Sequence, residues 1–347
     1  MKFIHIADVH LGATPDAGMP WSQERFEAIR NAFQKIIQLT EKKQADLLLI
    51  AGDLFHRQPL RRELKEINYL FSTLTYTRVV IIAGNHDYIR ENSPYLNFSW
   101  SDNVTLLSSG TMTSVYFKEF NTEVHGFSYH QPEIREPLYD SCRAPSDGRI
   151  HVLLAHGGDA AHIPISTTAL AGSGFHYIAL GHIHQPKIFK NTFIAYAGSL
   201  EPLDKTDIGK RGYILGEATL KECKISWRAL ANSQYSNLML TTTRDTTTEE
   251  LLDQIRPVLA ANPNDIYRVQ LTGFRDPEIT FNRDAILNAG RVVEVLDRTE
   301  PEYDLHTLSI DHSHDLISYY IKALSGEDAT PAHRKALYYG LRALLNP

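Results

Sequence analysis

A chain of 347 residues is long enough for more than one domain, and its hydrophobic fraction of 43% excludes a disordered or fibrous protein. Its formal net charge of −6 argues against binding nucleic acid by bulk charge alone, because such proteins are normally basic. The two cysteines, Cys142 and Cys223, show no spacing typical of a disulfide framework or a zinc knuckle, so we expect two reduced thiols.

The predicted elements at the start of the chain alternate between strands and helices. Apolar runs at 2–7, 47–51 and 79–83 predict buried strands, and helical spacing of apolar residues predicts helices at 24–40 and 61–74. This order implies parallel strands joined by right-handed crossovers. The residues expected to face the core are Phe26, Ile29, Ala32 or Phe33, Ile36 and Ile37 on the first helix, and Leu64, Ile67, Leu70 and Phe71 on the second.

The middle of the chain consists mainly of predicted strands. The apolar runs lie at 104–107, 113–117, 123–127, 151–155, 177–180, 193–197, 212–218 and 223–229. This pattern indicates a large mixed α/β unit with two sheets. Residues 231–236 are polar and are interpreted as a linker.

A smaller α/β module is predicted beyond the linker. Its elements are a strand at 237–242, a helix at 248–261, a strand at 266–274, a helix at 282–288 and a strand at 291–296. Two more helices are predicted at 313–324 and 331–345, and Thr330-Pro331 is a typical start for the second.

Polar residues follow five of the predicted strands, mostly beside glycine. They are Asp8-Val9-His10, Gly52-Asp53-Leu54-Phe55-His56, Gly84-Asn85-His86-Asp87, His156-Gly157 and Gly181-His182-Ile183-His184. Because ligands bind at the carboxyl ends of strands in open α/β sheets, we expect these side chains to meet in one cleft. The pairs Asp8/His10 and His182/His184 are two residues apart, so in extended backbone their side chains would point the same way.

The residue types in this cluster predict a metal site. Carboxylate, amide and imidazole groups suit manganese, iron, zinc or similar divalent ions. Two ions about 4 Å apart can activate water, clamp phosphate oxygens and offset developing charge during phosphate-ester hydrolysis. The sequence therefore predicts a metal-dependent phosphoesterase, which is a hydrolase acting on ester bonds.

The order of these motifs resembles the calcineurin-like metallophosphoesterases. Within that superfamily, Ala7-Asp8-Val9-His10-Leu11-Gly12 and Gly52-Asp53-Leu54-Phe55-His56 are similar to the SbcD-type DNA-repair exonucleases. The same likeness extends to Tyr196-Ala197-Gly198-Ser199-Leu200-Glu201-Pro202 and Lys210-Arg211-Gly212-Tyr213. The motifs cover residues 1–230, and the downstream module matches the family's small capping domain in position and pattern only.

The resemblance implies two metal ions with a shared carboxylate. One ion would be held by Asp8, His10, Asp53 and His184, and the other by Asp53, Asn85, His156 and His182. Manganese is the ion that the family usually prefers, and the residue types leave iron and zinc open.

The resemblance also implies three catalytic residues outside the ligand set. His86 would face the phosphate and stabilise or protonate the leaving oxygen. His56 would be a second phosphate-facing histidine, which is a feature of the nuclease branch. Asp87 would orient His86 from behind.

Several other residues have a plain interpretation beside the functional one. Arg57, Arg61, Arg62 and Lys65 could contact a DNA backbone or form a solvated helix face. Tyr88 and Tyr129 are expected to be buried or rim tyrosines, and His312-Ser313-His314 a solvated helix start. The remaining histidines considered are expected to be core or surface residues: His5, His125, His130, His151, His162 and His176.

The predicted fold class is α/β, a metallophosphoesterase sandwich of two mixed sheets flanked by helices, with a small C-terminal α/β capping domain. The nuclease domain would span 1–230 and the capping, DNA-binding domain 236–325, and a helix at 330–347 would dock on its own domain or on a partner. The predicted function is a manganese-dependent DNA exonuclease in DNA repair that also cuts single strands internally.

Two alternative functions remain open at this stage. One is a phosphatase or phosphodiesterase acting on small nucleotides or phosphoproteins, against which His56 and the capping module argue. The other is a scaffold whose site has decayed, against which the complete ligand set argues.

The resemblance implies DNA, a second copy of the chain and an SbcC-like coiled-coil ATPase as partners. The 330–347 segment is short for gripping such an ATPase, so the docking element is compact, the chain is truncated, or the ATPase partner is weak or missing. No apolar run is long enough to cross a membrane, and the N-terminus is too short and too polar for a signal peptide. We therefore expect a cytoplasmic protein.

Overall fold

The structure, a computed structural model, describes residues 1–326 and 330–345. The chain divides into two units, Met1–Tyr235 and Ser236–Pro347. The last two residues of the predicted helical segment 330–347 lie outside the described residues.

The first sheet of the larger unit contains six strands. Their spatial order is β12 (Cys223–Ala229), β11 (Gly212–Ala218), β1 (Lys2–Ile6), β2 (Leu47–Ala51), β3 (Arg78–Ile82) and β4 (Val104–Leu106). Strands β1 to β4 are parallel, as the alternating pattern predicted, and β11 and β12 are antiparallel additions. The crossover helices are α1 (Ser22–Lys43) and α2 (Arg61–Ser72).

The second sheet also contains six strands. Their spatial order is β5 (Thr113–Phe117), β6 (Thr122–Gly126), β7 (Ile150–His156), β8 (Tyr177–Gly181), β10 (Ile194–Tyr196) and β9 (Lys187–Ile188). Strands β6, β7, β8 and β10 are parallel, and β5 and β9 are antiparallel. The short helix α3 (Thr167–Ala171) precedes β8.

The central strands are apolar on both faces because both faces are covered. In β2, Leu48 and Ile50 pack with Phe33 of α1, whereas Leu47 and Leu49 pack with the second sheet. The predicted fold class is therefore confirmed: two mixed sheets form a sandwich, and helices cover its outer side.

The smaller unit combines a sheet with helices. Its strands are β13 (Tyr235–Thr242), β14 (Ile266–Arg275), β15 (Val292–Asp297) and β16 (Glu300–Pro301), and its helices are α4 (Thr248–Ala261), α5 (Arg283–Leu287), α6 (Leu305–Asp311), α7 (Leu316–Leu324) and α8 (Pro331–Leu345). Leu337 and Leu341 of α8 are buried against Ile317 and Ile321 of α7. The apolar side of α8 therefore docks on its own unit.

Two predicted segments are wrong in the structure. Residues 231–236 are not a free linker, because Arg25 donates a hydrogen bond to the Ser233 hydroxyl and the fully buried Tyr235 donates one to Asp16. The helix predicted at 313–324 begins later, since the Asp315 side chain accepts a hydrogen bond from the Ile317 amide and caps α7.

Both cysteines are free thiols, as expected. Within the described residues, no helix combines the length and the apolar character that crossing a bilayer requires.

Candidate metal centre

The loops that follow five strands bring the predicted ligands to one place. Asp8 and His10 follow β1, Asp53 follows β2, Asn85 follows β3, His156 ends β7, and His182 and His184 follow β8. Four of these side chains lie in residues that are at most 1% exposed: Asp8, His10, Asp53 and His156.

The backbone of four ligand residues is left-handed. The φ angle is 51° at Asp8 and His10, 50° at Asp53 and 94° at His182. Such conformations cost about 1–3 kcal/mol each at a non-glycine residue and are concentrated at functional sites. The extended backbone proposed for the Asp8/His10 and His182/His184 pairs is therefore wrong, because these side chains reach the cleft through strained turns.

The glycines of the motifs are required because the ligand loops pass close to one another. A Cβ atom at Gly84 would lie 2.2 Å from Asp53 Oδ1 and 2.7 Å from His156 Nε2. A Cβ atom at Gly52 would lie 2.2 Å from His156 Nδ1. A side chain at either position would displace ligand atoms directly.

Asp53 lies between two groups of donors. Its Oδ2 atom is 3.7 Å from His10 Nε2 and 3.5 Å from His156 Nε2, while its Oδ1 accepts a hydrogen bond of 2.9 Å from the His86 amide. One carboxylate oxygen thus faces both halves of the site, as a bridging ligand requires.

The first half of the site is formed by Asp8, His10 and His184. Ligand atoms of these three residues lie within 4.8 Å of one another, and His10 Nε2 is 3.3 Å from His184 Nε2. Both carboxylate oxygens of Asp8 accept from the His182 amide, at 2.9 and 3.0 Å, which connects this half to the β8 loop.

The second half is centred on the side-chain oxygen of Asn85. His156 Nε2 lies 2.9 Å from Asn85 Oδ1, and His182 Nδ1 lies 3.1 Å from the same atom. The structure therefore brings all seven predicted ligands together in the two predicted groups.

Acceptors behind the imidazoles determine which nitrogen of each ring faces the cleft. His156 Nδ1 donates to the Ala51 carbonyl at 2.8 Å, His182 Nε2 to Asp159 Oδ2 at 2.7 Å, and His184 Nδ1 to Asp207 Oδ2 at 3.1 Å. The opposite nitrogens, His156 Nε2, His182 Nδ1 and His184 Nε2, keep lone pairs for a metal.

The sequence did not predict the roles of Asp159 and Asp207. Both lie in loops, and neither belongs to a strand-end motif. Asp159 also contacts His162 at 2.9 Å, and Asp207 contacts the buried Arg211 at 3.3 Å. No local sequence signal identifies either carboxylate, because its histidine partner is brought to it only by tertiary structure.

His86 and His56 lie at the exposed mouth of the cluster. Their rings are stacked with centroids 5.2 Å apart, and the His86 ring is 4.7 Å from the His10 ring. His86 Nδ1 faces the His56 carbonyl at 3.2 Å. His56 Nδ1 also lies 3.3 Å from His10 Nδ1, so His56 contacts a predicted ligand from behind.

Asp87 is buried and holds loops rather than the His86 ring. It accepts hydrogen bonds from the Gly84 amide at 2.8 Å, the Phe55 amide at 3.1 Å and the Tyr95 hydroxyl at 2.7 Å. It therefore positions His86 through the backbone of residues 84–87.

The basic residues that follow His56 lie on the surface. Arg57 pairs with Glu63 at 2.7 Å, and both Arg61 and Arg62 are exposed. Tyr129 is fully buried, as expected, and its hydroxyl donates to the His156 carbonyl at 3.2 Å.

The buried carboxylates of the site differ in acidity. Burial raises the pKa of Asp8 to about 6. Burial opposes the charge of Asp53 too, but the neighbouring His156 and His10 outweigh it and hold the pKa of Asp53 well below its usual range. Two buried carboxylates, one amide oxygen and four imidazoles fit two divalent cations of the manganese, iron or zinc type.

Comparison with known proteins agrees with this geometry. The profile of the calcineurin-like phosphoesterase family matches residues 1–186. The chain is 31% identical over 250 residues to the DNA double-strand break repair protein Mre11 of Archaeoglobus fulgidus, with coverage of 64% of this chain and 55% of that protein.

Two bacterial proteins match at similar levels. Identity is 28% over 240 residues to the uncharacterized metallophosphoesterase YhaO of Bacillus subtilis, covering 63% of this chain and 58% of that protein. It is 26% over 256 residues to an SbcCD nuclease subunit of Staphylococcus epidermidis, covering 61% and 65%. The matched part of the chain thus spans 55% to 65% of the length of these relatives.

Proposed function

The chain belongs to the calcineurin-like phosphoesterase family, and on this premise we propose that it is a dimetal-dependent phosphodiesterase that degrades DNA as an exonuclease in DNA repair. We further propose that the same site cuts single strands internally. The observation that carries the proposal is the pair of donor groups around Asp53, whose Oδ2 atom faces His10 and His156 at 3.7 and 3.5 Å.

The residues present fit the metal pair that the family uses. When bound, two divalent ions, which we propose are manganese, supply Lewis acidity at the phosphate and lower the pKa of water. One ion would be held by Asp8, His10, Asp53 and His184, and the other by Asp53, Asn85, His156 and His182. The chain's own contribution is to fix these donors before substrate binds, through the acceptors Ala51, Asp159 and Asp207.

The proposed proton donor to the leaving oxygen is His86. Its Nδ1 is directed at the His56 carbonyl, which leaves Nε2 as the nitrogen that can donate to substrate. General acid catalysis of this kind contributes about 10²- to 10⁴-fold in rate. Burial and the nearby His86 lower the pKa of His56, so His56 is neutral at pH 7 and serves as a hydrogen-bond donor to the phosphate.

DNA is favoured over a small substrate by two observations. The names of the relatives refer to double-strand break repair and to a nuclease. Within the second unit, a cavity of about 600 Å³ is lined by basic and aromatic side chains that suit phosphates and bases, among them Arg275, Arg334, Lys335, Tyr338 and Arg342. We therefore assign residues 236–325, together with α8, a capping role in holding DNA.

Assembly is proposed from the relatives alone. One relative belongs to a nuclease complex called SbcCD, so we propose that this chain works as a homodimer with an SbcC-like ATPase. Light scattering across a range of chain concentrations tests the dimer. Co-purification of the full chain with an SbcC-type ATPase tests the partner, and a strictly monomeric chain that does not co-purify would contradict both.

The function is tested with end-labelled linear DNA and manganese. We expect progressive loss of the label from linear DNA, and cutting of circular single-stranded DNA, both abolished by Asp53→Ala. A small aryl phosphodiester and an aryl phosphomonoester are compared in parallel. A preference for the monoester with intact DNA would replace the proposal with the phosphatase alternative, and a chain that purifies without metal and is inactive on every substrate would favour the scaffold alternative.

A further inference from the structure

A second group of metal-ligating side chains lies on the same sheet, remote from the site described above. His151 is five residues before His156 on β7, which is roughly 16 Å along an extended strand. Glu123 and His125 lie two residues apart on β6, and Glu123 is the register partner of His151. All three side chains therefore project from the face of the sheet opposite to Val124 and Val152, which pack in the core between the sheets.

The donor atoms of these three residues converge. His125 Nε2 lies 2.9 Å from His151 Nδ1, Glu123 Oε2 lies 3.9 Å from the same nitrogen, and the whole set fits within 4.8 Å. His125 is only 9% exposed and His151 only 1%. Two imidazole nitrogens and a carboxylate oxygen thus face one buried point.

The hydrogen bond behind His151 leaves its lone pair on the nitrogen that faces the cluster. His151 Nε2 donates to Asp147 Oδ1 at 2.9 Å, so the lone pair is on Nδ1. A carboxylate that holds the far nitrogen of an imidazole is the usual support of a metal-bound histidine. Burial lowers the pKa of His125, which keeps its ring neutral and able to bind a metal.

Charge around the cluster also admits a divalent cation. Arg149 is the nearby base, and it contacts Glu123 at 3.0 Å and Asp147 at 3.4 Å. With neutral histidines, the two carboxylates and this guanidinium leave one net negative charge. Two imidazoles and one carboxylate, with a water completing four-coordination, form a donor set that zinc binds well.

We propose that Glu123, His125 and His151 form a zinc site that ties β6 to β7 and is separate from the dimetal centre. Asp147 is its supporting carboxylate. The competing account is a hydrogen-bonded histidine pair that needs no ion, in which His125 donates to His151.

The test is a zinc count on full-length protein saturated with Zn²⁺ and then freed of unbound metal, measured by plasma mass spectrometry. We expect three zinc ions per wild-type chain, two in His125→Ala, one in Asp53→Ala and none in the double variant. His130→Ala removes an exposed histidine outside the cluster and should keep all three. The Asp53→Ala background reports the new site alone, so its outcome is independent of the proposed nuclease function.

The proposal is overturned if His125→Ala binds as much zinc as the wild type, or if Asp53→Ala binds none while folded. Circular dichroism of each metal-free variant verifies folding. Should His125→Ala not fold, Glu123→Gln, which is close in size, gives the same count. Asp147→Asn should retain the site but weaken zinc binding about 10- to 100-fold, and an unchanged dissociation constant would refute the supporting role.

Discussion

At the residue scale, Asp53 and His86 are close neighbours with different predicted roles. Asp53 Oδ2 faces donors of both halves, whereas the His86 side chain lies at the exposed mouth and its amide bonds to Asp53 Oδ1. Removing the Asp53 side chain would take a ligand from both ions. Removing the His86 side chain would leave every proposed ligand in place.

We therefore predict opposite metal contents for two inactive variants. Asp53→Ala should lose both ions and activity together, and His86→Ala should lose about 10²- to 10⁴-fold in activity with metal content nearly unchanged. Metal analysis and a nuclease assay on the same preparations measure both. Loss of both metals in His86→Ala, or retention of both in Asp53→Ala, would show that the roles are assigned wrongly.

A second residue-scale prediction concerns the carboxylate behind His184. Asp207 Oδ2 accepts from His184 Nδ1 at 3.1 Å, and Asp207→Asn would weaken this hold on the ring tautomer. We expect manganese affinity to fall about 10- to 100-fold, because such supporting groups act on metal affinity through the ligand. Isothermal titration calorimetry measures the change.

Asp204→Asn is the matched control for this variant. Asp204 lies in the same loop, and its carboxylate bonds to Thr206 rather than to a histidine. Equal affinities of the Asp207→Asn and wild-type chains for manganese would contradict the positioning role.

At the element scale, periodic apolar patterns predicted much of the fold. The α1 helix was predicted at 24–40 and spans Ser22–Lys43, and β2 coincides with its predicted range. These segments are predictable because they bury one helix face or both strand faces. Arg25 was not predicted to be buried, since its partners Glu201, Pro202 and Ser233 are far away in sequence.

The candidate site was predictable in part for the same kind of reason. The seven ligands each sit in a short motif directly after a strand, so the order of motifs identified them. The left-handed backbone at Asp8 and His10 was not predicted, because it depends on how the β1 and β2 loops pair: the His10 amide bonds to the Asp53 carbonyl at 3.0 Å. Asp159 was missed because only the folded chain brings it to His182.

Strand β1 provides a prediction about pH. His5 is fully buried, and burial lowers its pKa from 6.5 to about 3. Above pH 6.5 the ring is neutral in both states and has no effect. Between pH 6.5 and 3 the unfolded chain binds a proton that the folded chain does not, so stability falls as pH falls, by about 2 kcal/mol at pH 5.

We expect His5→Asn to remove this component, since asparagine does not titrate and can still bond the Tyr177 hydroxyl that contacts His5 at 2.8 Å. Urea unfolding with chelator at pH 7.5 and pH 5 measures the stability lost on acidification in each chain. The variant should lose about 2 kcal/mol less than the wild type. An equal loss in both chains would refute this assignment, and His130→Asn, at an exposed position, should behave as wild type.

At the scale of the whole molecule, the net charge of −6 means that DNA must be held locally. The basic cavity of the second unit is the proposed place, and Arg334 and Lys335 line it. We predict that Arg334→Ala/Lys335→Ala weakens DNA binding and lowers its salt slope by about 1 for each phosphate that is no longer bound, while hydrolysis of a small aryl phosphodiester is unchanged. Filter binding over a range of salt concentrations measures the slope.

Arg256→Ala is the matched control for this double variant, since Arg256 is an exposed base of α4 that pairs with Asp253 at 3.2 Å. Its salt slope should equal that of the wild type. An unchanged slope in the double variant would contradict DNA binding at the cavity.

The most direct test of the dimetal centre is the anomalous diffraction of crystals of the full chain soaked in manganese. We predict two strong peaks per chain, one among Asp8, His10 and His184 and the other among Asn85, His156 and His182, with the Asp53 carboxylate between them. A single peak, no peak under saturating manganese, or peaks away from Asp53 would contradict the metal pair on which the proposed nuclease function depends.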